Sequence, residues 1–476
     1  MGIQLKQFFS TEAIGYSFLR LWSAAFFSGP IVLFTRGPKD FTMFHDFSIV
    51  ALIIILFLAP LLPRVRAFRS TASYRVTALV IIELGTLVAI ASQVVSSFPV
   101  ALFAFGAILT GIGSGMFILL WGNVFSSLPE QRALVSTVGA LVLSYAFCLC
   151  LSALSYILFC IFVALAPLLS LALFRDDFGQ NDGWLSETTI SNNAKSDKKR
   201  LAKPLGSTLL AIFLLSVFVG AATYFSGLFG SREGMTGLER NLVLTTIVAA
   251  LVLMGGRWKR AVTTDNLLKF CTLIAAIFAI LIPLLGTEYP ALWYASSLAF
   301  QLARIALWVL LARICSGLKI SVLYCFGWGW AVHNIGLLLG EVFTRVYFAQ
   351  VTLDDFSKLT IFALFVMACI LLFYVVGSRP LNAVKLNQET EQTKQRKFDV
   401  KLESVAMAHG LTAREAELLK YLAKGYSSKA IQEELFISAS TVSAHSSSIF
   451  KKLDVHSKEQ VAQLVRDWGI EENPEA

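Results

Sequence analysis

The chain has 476 residues, of which 56% are hydrophobic and only 15% are charged, and its mean hydropathy is +0.69. Soluble globular domains average about 25% charged residues, so this composition excludes a soluble protein and predicts a polytopic membrane protein. The net charge of +9 is not evidence for nucleic-acid binding in such a chain, because Lys and Arg collect in the cytoplasmic loops of membrane proteins.

Twelve apolar segments have the length of about 20 residues that a helix needs to cross the hydrocarbon core. A polar stretch at 175–205 separates six of them from the other six and predicts a loop. The first segment is too long for a signal peptide and lacks a small-residue cleavage site, so we expect it to stay in the membrane. The predicted spans are roughly 14–35, 46–63, 76–96, 98–121, 133–152, 155–174, 206–229, 240–256, 266–286, 290–314, 321–347 and 358–377.

The positive charges between the spans predict the orientation of the chain. Every cation-rich loop falls on the side of the two termini, and the opposite loops are short or balanced by Asp and Glu. The cations are Arg64, Arg66, Arg69, Arg75, Lys195, Lys198, Lys199, Arg200, Lys203, Arg257, Lys259 and Arg260. We therefore expect a protein of the bacterial inner membrane, in contact with lipid, with both termini in the cytoplasm.

Two sets of six spans around a cationic central loop resemble the architecture of the major facilitator superfamily over about residues 10 to 380. The loop after the second span, LPRVRAFRSTASYR, has the cations of that family's loop motif but lacks its Gly and Asp. The resemblance implies two six-helix halves, 1–174 and 206–378, with spans one, four, seven and ten around a central cavity.

Ionisable side chains inside membrane spans are candidate functional residues, because they are costly to bury there. They are Arg20, Glu83, Arg304, His333, Glu341 and Arg345. The resemblance would bring Arg20 and Arg304 to the cavity from opposite halves. Two cations without carboxylates on the same walls favour a small organic anion, with an aromatic part received by Tyr224 or Phe225.

Each of these side chains also has a structural interpretation. Arg20 lies near the end of its span and could extend its charge to the interface. Glu341 and Arg345 are four residues apart and could neutralise each other, and His333 could be an interior histidine with satisfied hydrogen bonds. Gly at alternate positions in the run 326–330, FGWGW, favours close helix packing over a binding site.

No pattern of catalytic or metal-binding residues emerges from the sequence. The seven cysteines lie in or beside apolar spans without CxxC spacing, as small packing residues do. The chain shows no phosphate-binding Gly loop and no nucleophile paired with a base. We expect neither an enzyme nor a bound metal or cofactor.

The residues after the last span predict a linker at 379–408 and a small helical domain at 409–476. The linker is polar and mixed in charge, and its sequence is compatible with a helix or a flexible tether. In the domain, Thr412 with Glu415 and Ser457 with Gln460 form capping boxes. Gly425 suits the end of the first helix. Ser438 would open a third helix, at about 439–453.

This segment resembles the LuxR/GerE-type helix-turn-helix domain. The resemblance rests on Leu411-Thr412 with Arg414-Glu415, on Gly425 with Lys429 and Ile431, and on Ile437-Ser438 with Thr441-Val442, His445, Ile449, Lys452-Leu453 and Val455. It implies a four-helix domain whose third helix enters the major groove of DNA and whose last helix pairs two copies. It covers about an eighth of the chain. Because the membrane spans are also predicted to be helices, the expected fold is all-α.

The predicted DNA contacts lie on the second and third helices. Thr441, Ser443, His445 and Ser446 would face bases beside Val442, and Lys429, Lys451 and Lys452 would contact phosphates. The family usually has a basic residue and then Thr where this chain has Ser443 and Ala444. Residues 409–476 contain eight Lys and Arg and ten Asp and Glu, so a single copy should bind DNA weakly.

These observations favour a membrane-bound transcription regulator: a twelve-span sensor of a small ligand, joined to a cytoplasmic DNA-binding domain that forms a homodimer. Two alternatives remain at this stage. The chain could be a secondary transporter with an accessory or degenerate DNA-binding domain. It could also be a structural protein that anchors DNA to the membrane without sensing a ligand.

Overall fold

The computed structural model describes residues 6–27, 38–61, 72–95, 99–174, 194–229, 237–257, 264–285, 290–318, 320–352, 354–435 and 437–468. Regular secondary structure in these residues is helical throughout. The contacts divide the chain into two compact units, Met1–Val384 and Lys385–Ala476. Most of the central loop, 175–193, and the loop cations Arg64, Arg66, Arg69, Lys259 and Arg260 lie outside the described residues.

The first unit contains a helix at each of the twelve predicted spans. The helices of its first half are α1 (Thr11–Phe27), α2 (Pro38–Leu58), α3 (Ala72–Val94), α4 (Val100–Ser127), α5 (Glu130–Ser152) and α6 (Tyr156–Ala172). Those of its second half are α7 (Ala194–Phe229), α8 (Gly237–Arg257), α9 (Thr264–Leu285), α10 (Pro290–Leu318), α11 (Gly329–Gln350) and α12 (Asp355–Ala408). The last part of the predicted central loop is helical, because α7 begins at Ala194.

Length and hydropathy confirm that this unit is a membrane domain. Among the described residues, six helical segments are long and apolar enough to cross a bilayer, and three shorter helices are also apolar. The six are Ala72–Val94, Val100–Ser127, Glu130–Ser152, Leu205–Phe225, Ser297–Leu318 and Asp355–Phe373. Many of their large apolar side chains face outward, as expected for helices in contact with lipid.

The two halves meet along pairs of helices, α5 with α8, α10 with α4 and α5, and α2 with α11. Glycines allow the closest approaches inside each half. A Cβ at Gly340 in α11 would lie 2.2 Å from the carbonyl oxygen of Val217 in α7, and one at Gly111 in α4 would lie 2.1 Å from that of Ser48 in α2. Only glycine permits backbones this close, as is usual where membrane helices pack tightly.

A π-helical turn at Leu323–Trp328 precedes α11 and includes most of the FGWGW run. A Cβ at Gly122 in α4 would lie 2.7 Å from the Phe326 ring, and one at Gly329 would lie 2.5 Å from Leu311 in α10. Phe326 also packs edge-on against Trp308, with ring centroids 4.9 Å apart. The run therefore mediates close packing between helices, including helices of opposite halves, as its sequence predicts.

The second unit contains four further helices, α13 (Ala413–Ala423), α14 (Ser428–Leu435), α15 (Ala439–Leu453) and α16 (Lys458–Asp467). Its core includes Leu402, Val405 and Ala406 from the end of α12. The described residues of the predicted linker are thus helical, and its last residues belong to the core of this unit.

The predicted caps account for the helix ends in this unit. The Thr412 side chain accepts from Glu415 N–H while Glu415 accepts from Thr412 N–H, which confirms the first capping box. Gly425 has φ +79°, the left-handed conformation that ends α13. Ser457 caps α16, but the Gln460 side chain accepts from the N–H of His456 rather than of Ser457, so the second capping box is incomplete.

Candidate DNA-binding surface and central arginine cluster

The exposed face of α15 is a stripe of small residues, mostly serines, that ends at a lysine. Ser440, Ser443, Ala444, Ser447 and Lys451 are exposed and follow one another at helical spacing. The predicted base contacts Thr441, His445 and Ser446 flank this stripe and are half-buried. Of the predicted base contacts, Ser443 is exposed.

Two predicted DNA contacts serve the fold instead. Val442 is 1% exposed and belongs to the core of the unit, so it cannot reach a base, which corrects the prediction. Lys452 donates to the Glu415 carboxylate at 2.7 Å and to the Gly410 carbonyl at 3.1 Å. A lysine with two intramolecular acceptors is a poor phosphate contact. Lys429 and Lys451 are exposed.

Glu415 connects the first helix of the unit to α15. It is 5% exposed and accepts hydrogen bonds from Ser448 Oγ at 2.6 Å, from Lys452 Nζ at 2.7 Å and from Thr412 N–H at 2.7 Å. The Lys452 ammonium, then the Ser448 hydroxyl and the Thr412 N–H, lower the pKa of Glu415 to about 2. A charged glutamate therefore holds the third helix in place at neutral pH.

In the membrane domain, the structure brings the two predicted ligand-binding arginines together. Arg20 of α1 interacts electrostatically with Tyr16 and with Arg304 of α10, across the contact between the halves. Arg304 donates to the Tyr145 hydroxyl of α5 at 2.8 Å, and Gln301 donates to the same oxygen at 3.1 Å. We call Tyr16, Arg20, Tyr145, Gln301, Arg304 and Trp308 the central arginine cluster.

Aromatic rings and a histidine border the central arginine cluster. Tyr16 stacks on Trp308 with ring centroids 4.8 Å apart, and Trp330 contacts both Trp308 and His333. Ser216 donates to the Ile212 carbonyl, so the 2.7 Å contact between Ser216 Oγ and His333 Nδ1 requires Nδ1–H as donor. His333 is thereby a satisfied interior histidine, and it interacts electrostatically with both arginines.

Tyr224 and Phe225, which are predicted to contact an aromatic part of the ligand, do not belong to the central arginine cluster. Phe225 is fully buried against Phe278, Phe348 and Phe362, so its ring is not open to a ligand. Tyr224 lies under Arg345, whose guanidinium carbon is 5.5 Å from the ring centroid. Arg345 and His45 of α2 both interact with Glu341, so the predicted Glu341–Arg345 pair belongs to a mixed-charge group.

Two ion pairs join helices of the membrane domain outside the central arginine cluster. Arg132 at the start of α5 pairs with the buried carboxylate of Glu12 at the start of α1, at 2.6 Å. Glu130 pairs with Arg313 of α10 at 3.4 Å and so joins the two halves. The arginines in these two pairs have carboxylate partners, unlike those of the central arginine cluster.

Comparison with known proteins bears on the two units separately. Residues 409–465 match the family described as bacterial regulatory proteins, luxR family. They form a LuxR-type helix-turn-helix domain.

Oxygen regulatory protein NreC of Staphylococcus haemolyticus is 47% identical over 53 residues, 11% of this chain and 24% of NreC. Fimbriae Z protein of Salmonella typhimurium is 51% identical over 47 residues, 10% of this chain and 22% of that protein. The chain thus matches about a quarter of the length of these relatives.

The membrane domain has the fold of major facilitator transporters. The E. coli fucose:proton symporter FucP superimposes with a TM-score of 0.53 at 15% identity, covering 79% of this chain and 98% of FucP. A bacterial homologue of the iron transporter ferroportin, in an outward-facing state, gives 0.52 at 12% identity and covers 80% and 99%. At these identities the likeness establishes the fold alone.

Four residues beside Arg20 and Arg304 were not predicted from the sequence: Tyr16, Tyr145, Gln301 and Trp308. Tyr16 and Trp308 lie four residues from Arg20 and Arg304 on the same helices, and Gln301 lies three residues from Arg304. That spacing places side chains on one helix face and could have identified them. Tyr145 could not be found in this way, because only the packing of α5 against α10 brings it to Arg304.

Proposed function

We propose that the protein is a membrane-bound transcription regulator, in which a facilitator-type membrane domain senses a small ligand and a LuxR-type domain binds DNA. The observation that carries this proposal is the intact architecture of the LuxR-type domain. Its caps, its core and an exposed third helix are all present on a chain whose other unit is a membrane bundle. The LuxR-type domain and the transporter-like fold both point to non-enzymatic roles, and we propose no catalytic activity.

DNA binding would use the exposed face of α15. Ser443, with Thr441, His445 and Ser446 beside it, faces the bases, and Lys429 and Lys451 contact phosphates. Serines offer fewer paired hydrogen bonds to bases than Arg or Asn, and few cations are available for phosphates. One copy therefore binds weakly, and a homodimer through α16 doubles the contacts. The side chains that α16 leaves exposed include Gln460, Gln463 and Asp467.

The membrane domain would supply the signal through the central arginine cluster, with Arg20 and Arg304 as ligand-binding residues. A ligand changes the arrangement of the two halves only if it binds one arrangement more tightly than the other. Loop charge supports a place in the bacterial inner membrane with both termini, and hence the LuxR-type domain, in the cytoplasm.

A secondary transporter is the second candidate, and the observation in its favour is the facilitator fold, which covers 98% of the fucose symporter. Deleting residues from Lys385 onward separates the two functions, because that residue begins the second compact unit. A regulator loses its effect on transcription when this unit is deleted. Retained transcriptional control after the deletion would refute the proposal, and uptake that survives the deletion but is lost in Arg304→Ala would establish a transporter.

A further inference from the structure

Three buried hydrogen-bond donors in the central arginine cluster have no acceptor. They are Nε of Arg20, Nε of Arg304 and the indole N–H of Trp308. Buried donors are nearly always satisfied in folded proteins, and each one left without a partner costs about 1–3 kcal/mol. Three of them in one cluster, two on guanidinium groups, indicate a site built for an acceptor that carries negative charge.

The charges around the site lack a counter-ion. The groups that interact electrostatically with Arg20 are Arg304, Tyr16 and Tyr145, and none of these is a carboxylate. His333, the remaining titratable neighbour, donates its Nδ1–H to Ser216. In the part of the chain that the structure describes, nothing neutralises the two guanidinium groups, although Arg132 and Arg313 of the same bundle each have a glutamate.

We propose that the central arginine cluster binds the carboxylate of a small aromatic acid, which bridges Arg20 and Arg304 and accepts a third hydrogen bond from Trp308. The planar fork of donors on a guanidinium group matches the two oxygens of a carboxylate. Tyr16 and Trp308 stack on each other, and Trp330 lies beside them, so the surroundings of the two arginines are aromatic and suit an acid with an aromatic substituent. The aromatic part is therefore received here and not at Tyr224 or Phe225.

The same geometry explains how such a ligand would act as a signal, an inference that rests on the proposed function. Arg20 belongs to the first half and Arg304 to the second, so their repulsion opposes the approach of α1 and α10 that stacks Tyr16 on Trp308. A carboxylate between them converts this repulsion into an attraction that links the halves. The ligand thus binds the arrangement with both arginines close far better than one in which they are apart.

The test uses the purified full-length protein in nanodiscs, at constant ionic strength and without DNA. Thermal unfolding is measured with millimolar benzoate, phenylacetate or acetate, and with benzamide as the uncharged counterpart of benzoate. Because ligands that bind the folded state raise its midpoint, we expect benzoate and phenylacetate to raise the midpoint, acetate to raise it less and benzamide to leave it unchanged. Arg20→Gln and Arg304→Gln should each weaken benzoate binding about tenfold or more, corresponding to about 1.4 kcal/mol.

Two further variants keep the result interpretable. Arg304→Lys retains the charge and should bind benzoate better than Arg304→Gln does, which a general loss of folding would not produce. Arg345→Gln, a matched change at the arginine over Tyr224, should leave benzoate binding unaltered.

Equal responses to benzoate and benzamide, or no response to any carboxylate, would overturn the inference. So would loss of binding in Arg345→Gln with Arg304→Gln unaffected. These outcomes leave the DNA-binding proposal standing, because DNA binding and transcription are measured separately.

Discussion

Replacing Glu415 with Gln measures how strongly the first helix of the LuxR-type domain holds its third helix. Gln keeps one carbonyl oxygen as the acceptor for Thr412 N–H and places its NH2 group toward Ser448 Oγ, which can accept, but it removes the negative charge opposite Lys452, 2.7 Å away. The lowering of the Glu415 pKa to about 2 sets an upper limit of about 3 kcal/mol on what the charge contributes at pH 7. Because the Lys452 side chain is 33% exposed, solvent weakens the pair, and we expect a loss of about 2 kcal/mol.

Urea unfolding of the fragment 385–476, the second compact unit, measures this loss by circular dichroism. For a unit of this size, about 2 kcal/mol also lowers the thermal midpoint by roughly 8–16 °C. Glu417→Gln is the matched control, because Glu417 lies on the same helix in an exposed pair with Arg414 and should matter by less than about 0.5 kcal/mol.

The dependence on pH gives a second, independent check. Folding depresses the pKa of Glu415, so its contribution is complete above the ordinary glutamate value and is lost as the pH falls toward about 2. The difference in unfolding free energy between the wild type and Glu415→Gln should therefore shrink between pH of about 4.5 and about 2. Equal stabilities of the Glu415→Gln and Glu417→Gln fragments at pH 7, or a difference that does not change with pH, would refute the reasoning.

Three further changes test other parts of the structure. Gly425→Ala should destabilise the fragment by about 1 kcal/mol in urea unfolding, because φ is +79° and nothing crowds the added methyl group; an unchanged midpoint would contradict this. Gly122→Ala should cost about 1–3 kcal/mol through contact with Phe326, seen as a lower thermal midpoint of the full-length protein, whereas Gly206→Ala, in open space, should not. Ser443→Lys should strengthen DNA binding and steepen its salt dependence by about 0.9 in the logarithmic slope, measured by fluorescence anisotropy; an unaltered slope would remove Ser443 from the interface.

Much of the fold could be predicted because its determinants are local. Apolar length sets the spans, and even the division between 152 and 155 matches the end of α5 at Ser152 and the start of α6 at Tyr156. Capping residues set the helices of the LuxR-type domain, including α15 at Ala439–Leu453. The composition of the linker suits either a helix or a flexible tether, so it does not decide between them. The burial of its last residues in the domain core depends on partners far along the sequence.

The functional surfaces were harder to predict because they depend on tertiary contacts. Val442 and Lys452 match family positions. The helical period already places Val442 with Ile449 and Leu453 on the inward face, but only the packed domain shows that Lys452 is paired with Glu415. The proximity of Arg20 and Arg304 followed from the resemblance to facilitators, whereas the contact of Tyr145 with Arg304 required the structure. Tyr224 is an aromatic residue in a predicted span, as a contact for an aromatic ligand requires, but the Arg345 guanidinium lies over its ring.

The most direct test of the central claim is chromatin immunoprecipitation of the full-length protein from its native host. A variant with Lys429→Ala, Ser443→Asp and Lys451→Ala changes only exposed residues of the proposed DNA-binding surface, and Glu417→Gln serves as a control on the same domain. A membrane-bound regulator predicts discrete peaks that disappear in the triple variant and persist in the control. No enrichment under several growth conditions, or peaks that the triple variant retains, would contradict the account.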